Sequence, residues 1–177
     1  ASWSSQNITT AVDGATGVHA ADVDEDGDLD VFSTSEVDDR VAWYENTDGA
    51  GSFGAQQTIT GGSADSPESV YGADVDGDGD PDAVVAENGA ITWYENQVGE
   101  SGADSDGFGS RQTISTNVST AQQVRAADVD GDGDLDVLSA SIGGNKIAWY
   151  ENRIGESGAD SDGFGAQQTI TTNAESA

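Results

Sequence analysis

The sequence has no cysteine, no methionine, one histidine, two prolines and only 5 Lys and Arg, against 34 Asp and Glu. Without cysteine no disulfide can staple the fold, and no thiolate nucleophile or metal ligand exists. A formal net charge of −29 excludes nucleic acid and anionic membrane as direct partners. No apolar run approaches the roughly 18 residues needed to cross a bilayer, so direct membrane insertion is not expected. The absence of methionine even at position 1 predicts a processed chain or an excerpt of a longer one, and a removed signal peptide would account for it.

What is present is an acidic phrase repeated three times: ADVDEDGDLD at 21–30, ADVDGDGDPD at 73–82 and ADVDGDGDLD at 127–136. Calcium takes six to eight oxygens, supplied in compact loops by side chains at alternate positions and one backbone carbonyl. Asp22, Asp24, Asp26 and Asp30 fall at loop positions one, three, five and nine, and Asp28 at position seven offers its carbonyl. The second copy supplies Asp74, Asp76, Asp78, Asp80 and Asp82, and the third Asp128, Asp130, Asp132, Asp134 and Asp136. Gly27, Gly79 and Gly133 permit the sharp turn at position six. Position twelve holds Ser33, Val85 and Ser139 in place of a bidentate Glu, so the loop is no EF-hand.

Two carboxylates about 4 Å apart repel by roughly 1 kcal/mol in water and about 4 kcal/mol at an effective dielectric near 20. Five aspartates within nine residues therefore call for a cation, and repetition argues against a merely solvated acidic turn. Three calcium sites are predicted; magnesium, with its tight octahedral demands, suits the loops less well. Three divalent ions carry six positive charges, so −29 would become only about −23.

The acidic phrases recur at intervals of 52 and 54 residues, and other phrases keep step. VAWYEN (41–46), ITWYEN (91–96) and IAWYEN (147–152) follow the loops. FGAQQTIT (53–60), FGSRQTIS (108–115) and FGAQQTIT (164–171) follow those, and WSSQNIT (3–9) is a divergent earlier copy. Residues 99–109 reappear unchanged at 155–165. Each unit reads as four short strands, in the first copy 18–23, 29–34, 40–46 and 53–60, punctuated by Gly, Asp, Asn and Ser. Val41 and Trp43 alternate with Ala42 and Tyr44, so both sheet faces carry material to bury. Small four-stranded sheets packed face to face by repetition predict an all-β array of propeller-type blades. The repeat frame places units at about 3–52, 53–107 and 108–163, with a partial fourth unit at 164–177.

With the ADVDGDGDLD phrase, the WYEN strand and the Phe-Gly that opens the next segment, the chain resembles FG-GAP or VCBS-type repeats, found in integrin α-subunit propellers and many secreted microbial proteins. The resemblance implies propeller blades with calcium held in the turn between the first two strands, on the aspartates named above. It implies no particular activity, since one fold hosts many functions. Closed propellers typically have four to eight blades. Three blades plus an extra terminal strand leave open edges, which invite pairing with another chain or with further blades of a longer one.

Other candidates carry blander readings. His19, Tyr71 and Arg125 are equivalent positions on the innermost strand, either a recognition surface or a tolerant wet channel. Trp43, Trp93, Trp149, Tyr44, Tyr94 and Tyr150 are expected to be packing residues before they are sugar-stacking ones. Glu100, Asp104 and Asp106, repeated as Glu156, Asp160 and Asp162, form an acidic loop on the same side of the sheet as the calcium turn. Asn7 and Asn117 match the N-glycosylation acceptor pattern. No Ser-His-Asp set, zinc-type His cluster or phosphate-cradling Gly loop is present, so catalysis is not expected. The sequence therefore predicts an extracellular, calcium-stabilised structural or adhesive module that self-associates. The alternatives are a carbohydrate-binding propeller and a non-catalytic part of a polysaccharide-degrading enzyme.

Overall fold

The computed structural model describes residues 5–60, 64–100, 107–156 and 163–172. They form twelve strands: β1 (Ala15–Ala21), β2 (Asp30–Ser35), β3 (Arg40–Tyr44), β4 (Gln57–Thr58), β5 (Ser69–Ala73), β6 (Asp82–Glu87), β7 (Ala90–Tyr94), β8 (Gln112–Ser115), β9 (Ala121–Ala127), β10 (Asp136–Ser141), β11 (Lys146–Tyr150) and β12 (Gln168–Thr171). Three antiparallel meanders result, β1-β2-β3-β4, β5-β6-β7-β8 and β9-β10-β11-β12, with no helix among the described residues. These are the four-stranded, propeller-like blades expected, and they do not close into a ring.

The strands differ in detail from the sequence pattern. β1 ends at Ala21, because Asp22 and Val23 already belong to the turn. The expected fourth strand, 53–60, pairs over only two residues, with Phe53 making an isolated bridge to Asn46. The WSSQNIT copy adds no strand: its described residues, 5–9, run along the outer face of the first sheet, where residues 6–9 line a cavity with Val18, Val31 and Tyr44. Each sheet takes as its fourth strand the Phe-Gly segment that opens the next repeat unit, so blades and repeat units are offset by one strand.

Alternation along the strands builds the core. Val41 and Trp43 of blade one meet Val70, Ala83, Val85 and Tyr94 of blade two. The opposite face of blade two sends Val84, Ala86, Ile91 and Trp93 against Val124, Val137, Ala148 and Tyr150 of blade three. Burying each such side chain contributes about 1.5–3 kcal/mol, so the two junctions are the main stabilising contacts. Phe108, the Phe of the second Phe-Gly segment, turns back into the first junction and meets Phe32 edge-on at 6.0 Å. At the inner end, β1 packs beside β5 and β5 beside β9. Gly72 allows this approach, since a Cβ there would lie 3.0 Å from the Phe32 ring and 3.1 Å from the Ala21 methyl.

A polar bond crosses each junction as well. Asn96 Nδ2 donates to the Val23 carbonyl at 2.8 Å and Asn152 Nδ2 to the Val75 carbonyl at 2.6 Å. Both asparagines also hold their own blade's turn, through the Pro81 and Leu135 carbonyls. Asn46 Nδ2 keeps the local bond, to the Leu29 carbonyl at 3.3 Å, and has no inter-blade acceptor among the described residues. Asn96→Ala is therefore expected to destabilise by about 2–3 kcal/mol and Asn46→Ala by about 1 kcal/mol less, in denaturant melts of the calcium-loaded chain.

Candidate metal loops

The three acidic turns share one hydrogen-bond pattern at position nine. There Asp30, Asp82 and Asp136 are buried, and each carboxylate takes two backbone N–H groups. One comes from the second loop residue: Val23 N at 2.9 Å, Val75 N at 2.8 Å and Val129 N at 2.9 Å. The other comes from the end of the third strand: Asn46 N at 2.7 Å, and Asn96 N and Asn152 N at 2.8 Å. This carboxylate clasps the turn shut and ties it to the WYEN strand. Position one accepts from the loop backbone, Asp22 from Gly27 N, Asp74 from Gly77 N and Asp128 from Gly131 N. Positions three and five accept from the residue two further on, as Asp76 does from Asp78 N and Asp78 from Asp80 N.

The turn needs left-handed backbone at position six, where Gly27, Gly79 and Gly133 have φ of 94°, 112° and 107°. Position four is left-handed too: Gly77 and Gly131 occupy it without a Cβ, whereas Glu25 takes φ 59°. Glu25 also faces Asp80 of the next loop, whose hydrogen bond and charge raise its pKa.

Carboxylate oxygens converge within 4.8 Å of one another in Asp22, Asp24 and Asp30; in Asp74, Asp76 and Asp78; and in Asp128, Asp130 and Asp136. A fourth group joins Asp78, Asp80 and Glu100, which places the β7–β8 loop beside the acidic turn, on the expected side of the sheet. Asp104, Asp106, Asp160 and Asp162 lie outside the described residues. Of the fifteen loop aspartates, Asp26, Asp28, Asp132, Asp134 and Asp82 are not in these groups. Asp82 is nonetheless held as Asp30 and Asp136 are, by its two backbone donors.

Burial and mutual repulsion mark the loops electrostatically. Burial, then the Asp78 charge, pushes Asp76 up to about 6. Burial pushes Asp82 up to about 7 against the opposing pull of the Asn96 and Val75 N–H bonds. Asp24 and Asp130 are raised as well, by desolvation first and neighbouring carboxylates after it. Asp22 Oδ1 is shut off from solvent with no hydrogen-bond donor. An orphaned carboxylate oxygen among converging oxygens, with no nitrogen or sulfur donor nearby, fits a hard divalent cation.

Residues 22–85 and 74–139 each match the family model of the FG-GAP-like repeat. The chain belongs to the FG-GAP-like repeat family. Both matches open on position one of an acidic turn and end within the second strand of the next sheet, so the FG-GAP unit spans a whole blade junction. No curated protein matches the chain.

The remaining candidates of the FG-GAP array are placed as follows. His19 and Tyr71 stack with ring centroids 4.3 Å apart, and the Arg125 guanidinium lies 5.4 Å from the Tyr71 ring. Burial and the Arg125 charge lower the His19 pKa. Trp43, Trp93, Tyr44, Tyr94 and Tyr150 are buried, whereas Trp149, in the last blade, is half-buried. Asn7 and Asn117 are exposed. Sequence reasoning missed the junction role of Asn96 and Asn152, although an asparagine in every WYEN phrase signalled it.

Two outcomes follow from these loops. Asp82→Ala strands two buried N–H groups and is expected to cost about 3 kcal/mol or more with or without calcium. Asp78→Ala should cost little in calcium-free melts while removing one site's share, roughly a third, of the calcium-dependent gain. On pH, Asp76 and Asp82 have folded pKa values above their unfolded ones. Their contribution to stability is full below about pH 4 and is lost as pH rises through 6–7. Calcium-stripped protein should melt lower at pH 8 than at pH 5, and the protection given by calcium should grow across the same window.

Proposed function

We propose that the chain is an extracellular, calcium-stabilised structural or adhesive module that associates with further copies of itself through its open ends. The observation that carries this reading is the same carboxylate clasp and converging oxygens in all three turns, with the orphaned Asp22 Oδ1 among them. When bound, calcium supplies two positive charges and an oxygen-seeking coordination sphere to each turn. Asp22, Asp24 and Asp30, and their counterparts Asp74, Asp76, Asp82, Asp128, Asp130 and Asp136, present the oxygens and hold the backbone that positions them. Asp26, Asp78 and Asp132 at position five and the carbonyls of Asp28, Asp80 and Asp134 complete the expected ligand set. Water fills what the chain does not.

The extracellular assignment rests on family habit and on chemistry. A site binding only the folded loop stabilises by RT ln(1 + [L]/Kd), about 2.7 kcal/mol at a hundredfold excess. Millimolar extracellular calcium saturates loops of modest affinity. A chain without disulfides then has a staple of another kind.

A second reading has its own observation. His19, Tyr71 and Arg125 form one stacked group on the innermost strands, of a chemistry suited to sugar or carboxylate ligands. A carbohydrate-binding propeller of this kind would lose a glycan-array signal on change of any of the three.

The leading reading is tested by sedimentation velocity with calcium and then with excess chelator. Concentration-dependent larger species in calcium, lost with chelator, are the expected result. A compact monomer under both conditions would turn attention to ligand binding.

A further inference from the structure

The internal repeat is its own control for what each blade face touches. At one repeat position Val70 and Val124 are 2% and 0% exposed, because each faces the blade before it, while Val18 of blade one is 77% exposed. At another, Val23 and Val75 are 1% and 3% exposed beneath the blade that follows, while Val129 of blade three is 45% exposed. Phe53 is half-buried where Phe108 and Phe164 are buried. Leu138, Ala140, Ile147 and Trp149 are half-buried where their blade-two counterparts Val84, Ala86, Ile91 and Trp93 are buried. The hydrogen bonds divide in the same way: among the described residues Asn46 Nδ2 lacks the inter-blade acceptor that Asn96 and Asn152 have, and no asparagine reaches the Val129 carbonyl.

The two end faces are therefore the two halves of a junction that the chain builds twice internally. Resting on the self-association reading above, we propose that copies dock head to tail, face on face. The Leu138–Trp149 face of one copy covers the Val18 face of the next, Val129 and Val18 are buried, and Asn46 Nδ2 of one copy donates to the Val129 carbonyl of the other. A second copy is the occupant because the faces complement each other and not themselves. An open apolar recess of about 200 Å³ lies beside Val124, Leu138 and Ile147 at one end; at the other, one of about 300 Å³ beside Val18 and Tyr44 is walled by the chain's own residues 6–9, which a docking copy has to displace outward, although Val18 is exposed in the single chain. The contact is heterologous, so it either closes a ring or propagates a fibre. Two copies supply six blades, within the four to eight of closed propellers. Copies of net charge −29 repel at long range, so docking needs loaded turns and screening salt.

This differs from strand addition at the sheet edges. Ile170 is exposed where its counterparts Ile59 and Ile114 are buried in the junction cores, so face docking would cover it, whereas strand addition would pair the backbone of the β12 edge.

The test uses the full 177-residue chain in saturating calcium and at least 0.15 M salt, with Val18→Asp and Val129→Asp on the two faces and Thr169→Pro on the β12 edge, all exposed positions. Calcium-dependent melting checks that each variant folds. Sedimentation velocity is expected to show wild type associating and Val18→Asp and Val129→Asp each monomeric at the same concentration. An equimolar mixture of those two should give dimers and nothing larger, since each retains the end the other lost. Association of both face variants at wild-type strength, with loss only in Thr169→Pro, would overturn face docking and leave edge-strand self-association standing. Loss in Val18→Asp alone, unrescued by mixing, would mean a symmetric contact and overturn the head-to-tail geometry. A wild type that stays monomeric at every concentration would remove the self-association reading and this proposal with it.

Discussion

The position-nine carboxylate is the contact on which the rest depends. Asp30, Asp82 and Asp136 each bind the start of an acidic turn and the end of a WYEN strand, two segments separated by the length of a hairpin. Fixing the asparagine backbone in this way aims its side chain at the preceding blade's turn. One carboxylate therefore shapes the turn, orders the strand behind it and sets up the blade junction. It does so in a buried place, where an ionised group lacking donors would be costly.

Metal chemistry and junction packing are consequently the same structural problem. The carbonyls that Asn96 and Asn152 grip belong to Val23 and Val75, inside the acidic turns, and those valine side chains are buried beneath the next blade. A turn distorted by carboxylate repulsion would loosen the contact above it. The raised pKa values of Asp76 and Asp82 express first the cost of burying these carboxylates and then the charge of their neighbours. The proposed cation would thereby couple the solvent conditions of a chain with no disulfide to its packing.

Much of this was legible in the sequence because repetition reveals constraint. The three acidic phrases, the four-strand unit and the two-faced burial of Val41-Ala-Trp-Tyr44 follow from spacing and alternation alone. Other features were not legible. The same aspartate can be a ligand or a backbone clasp, and pattern does not separate the roles. The fourth strand of blade one spans only two residues although its sequence nearly matches that of β8 and β12, which span four. Trp149 is less buried than Trp43 and Trp93 through its place in the array and not its local sequence. The fully buried Glu87, bound by Arg111 at 2.9 Å and Thr92 at 2.7 Å, occurs in blade two alone. Ser35 and Ser141 hold its position elsewhere, so repetition gave no warning of it.

The central claim is that three acidic turns take up calcium as part of the folded state. Native mass spectrometry of the stripped chain titrated with calcium, read beside its thermal melt, tests it most directly. The account predicts three ions per chain bound before any weaker ones, with the melting temperature rising as they load. A chain that binds no calcium at millimolar concentration, or binds it with no change in melting temperature, would contradict it.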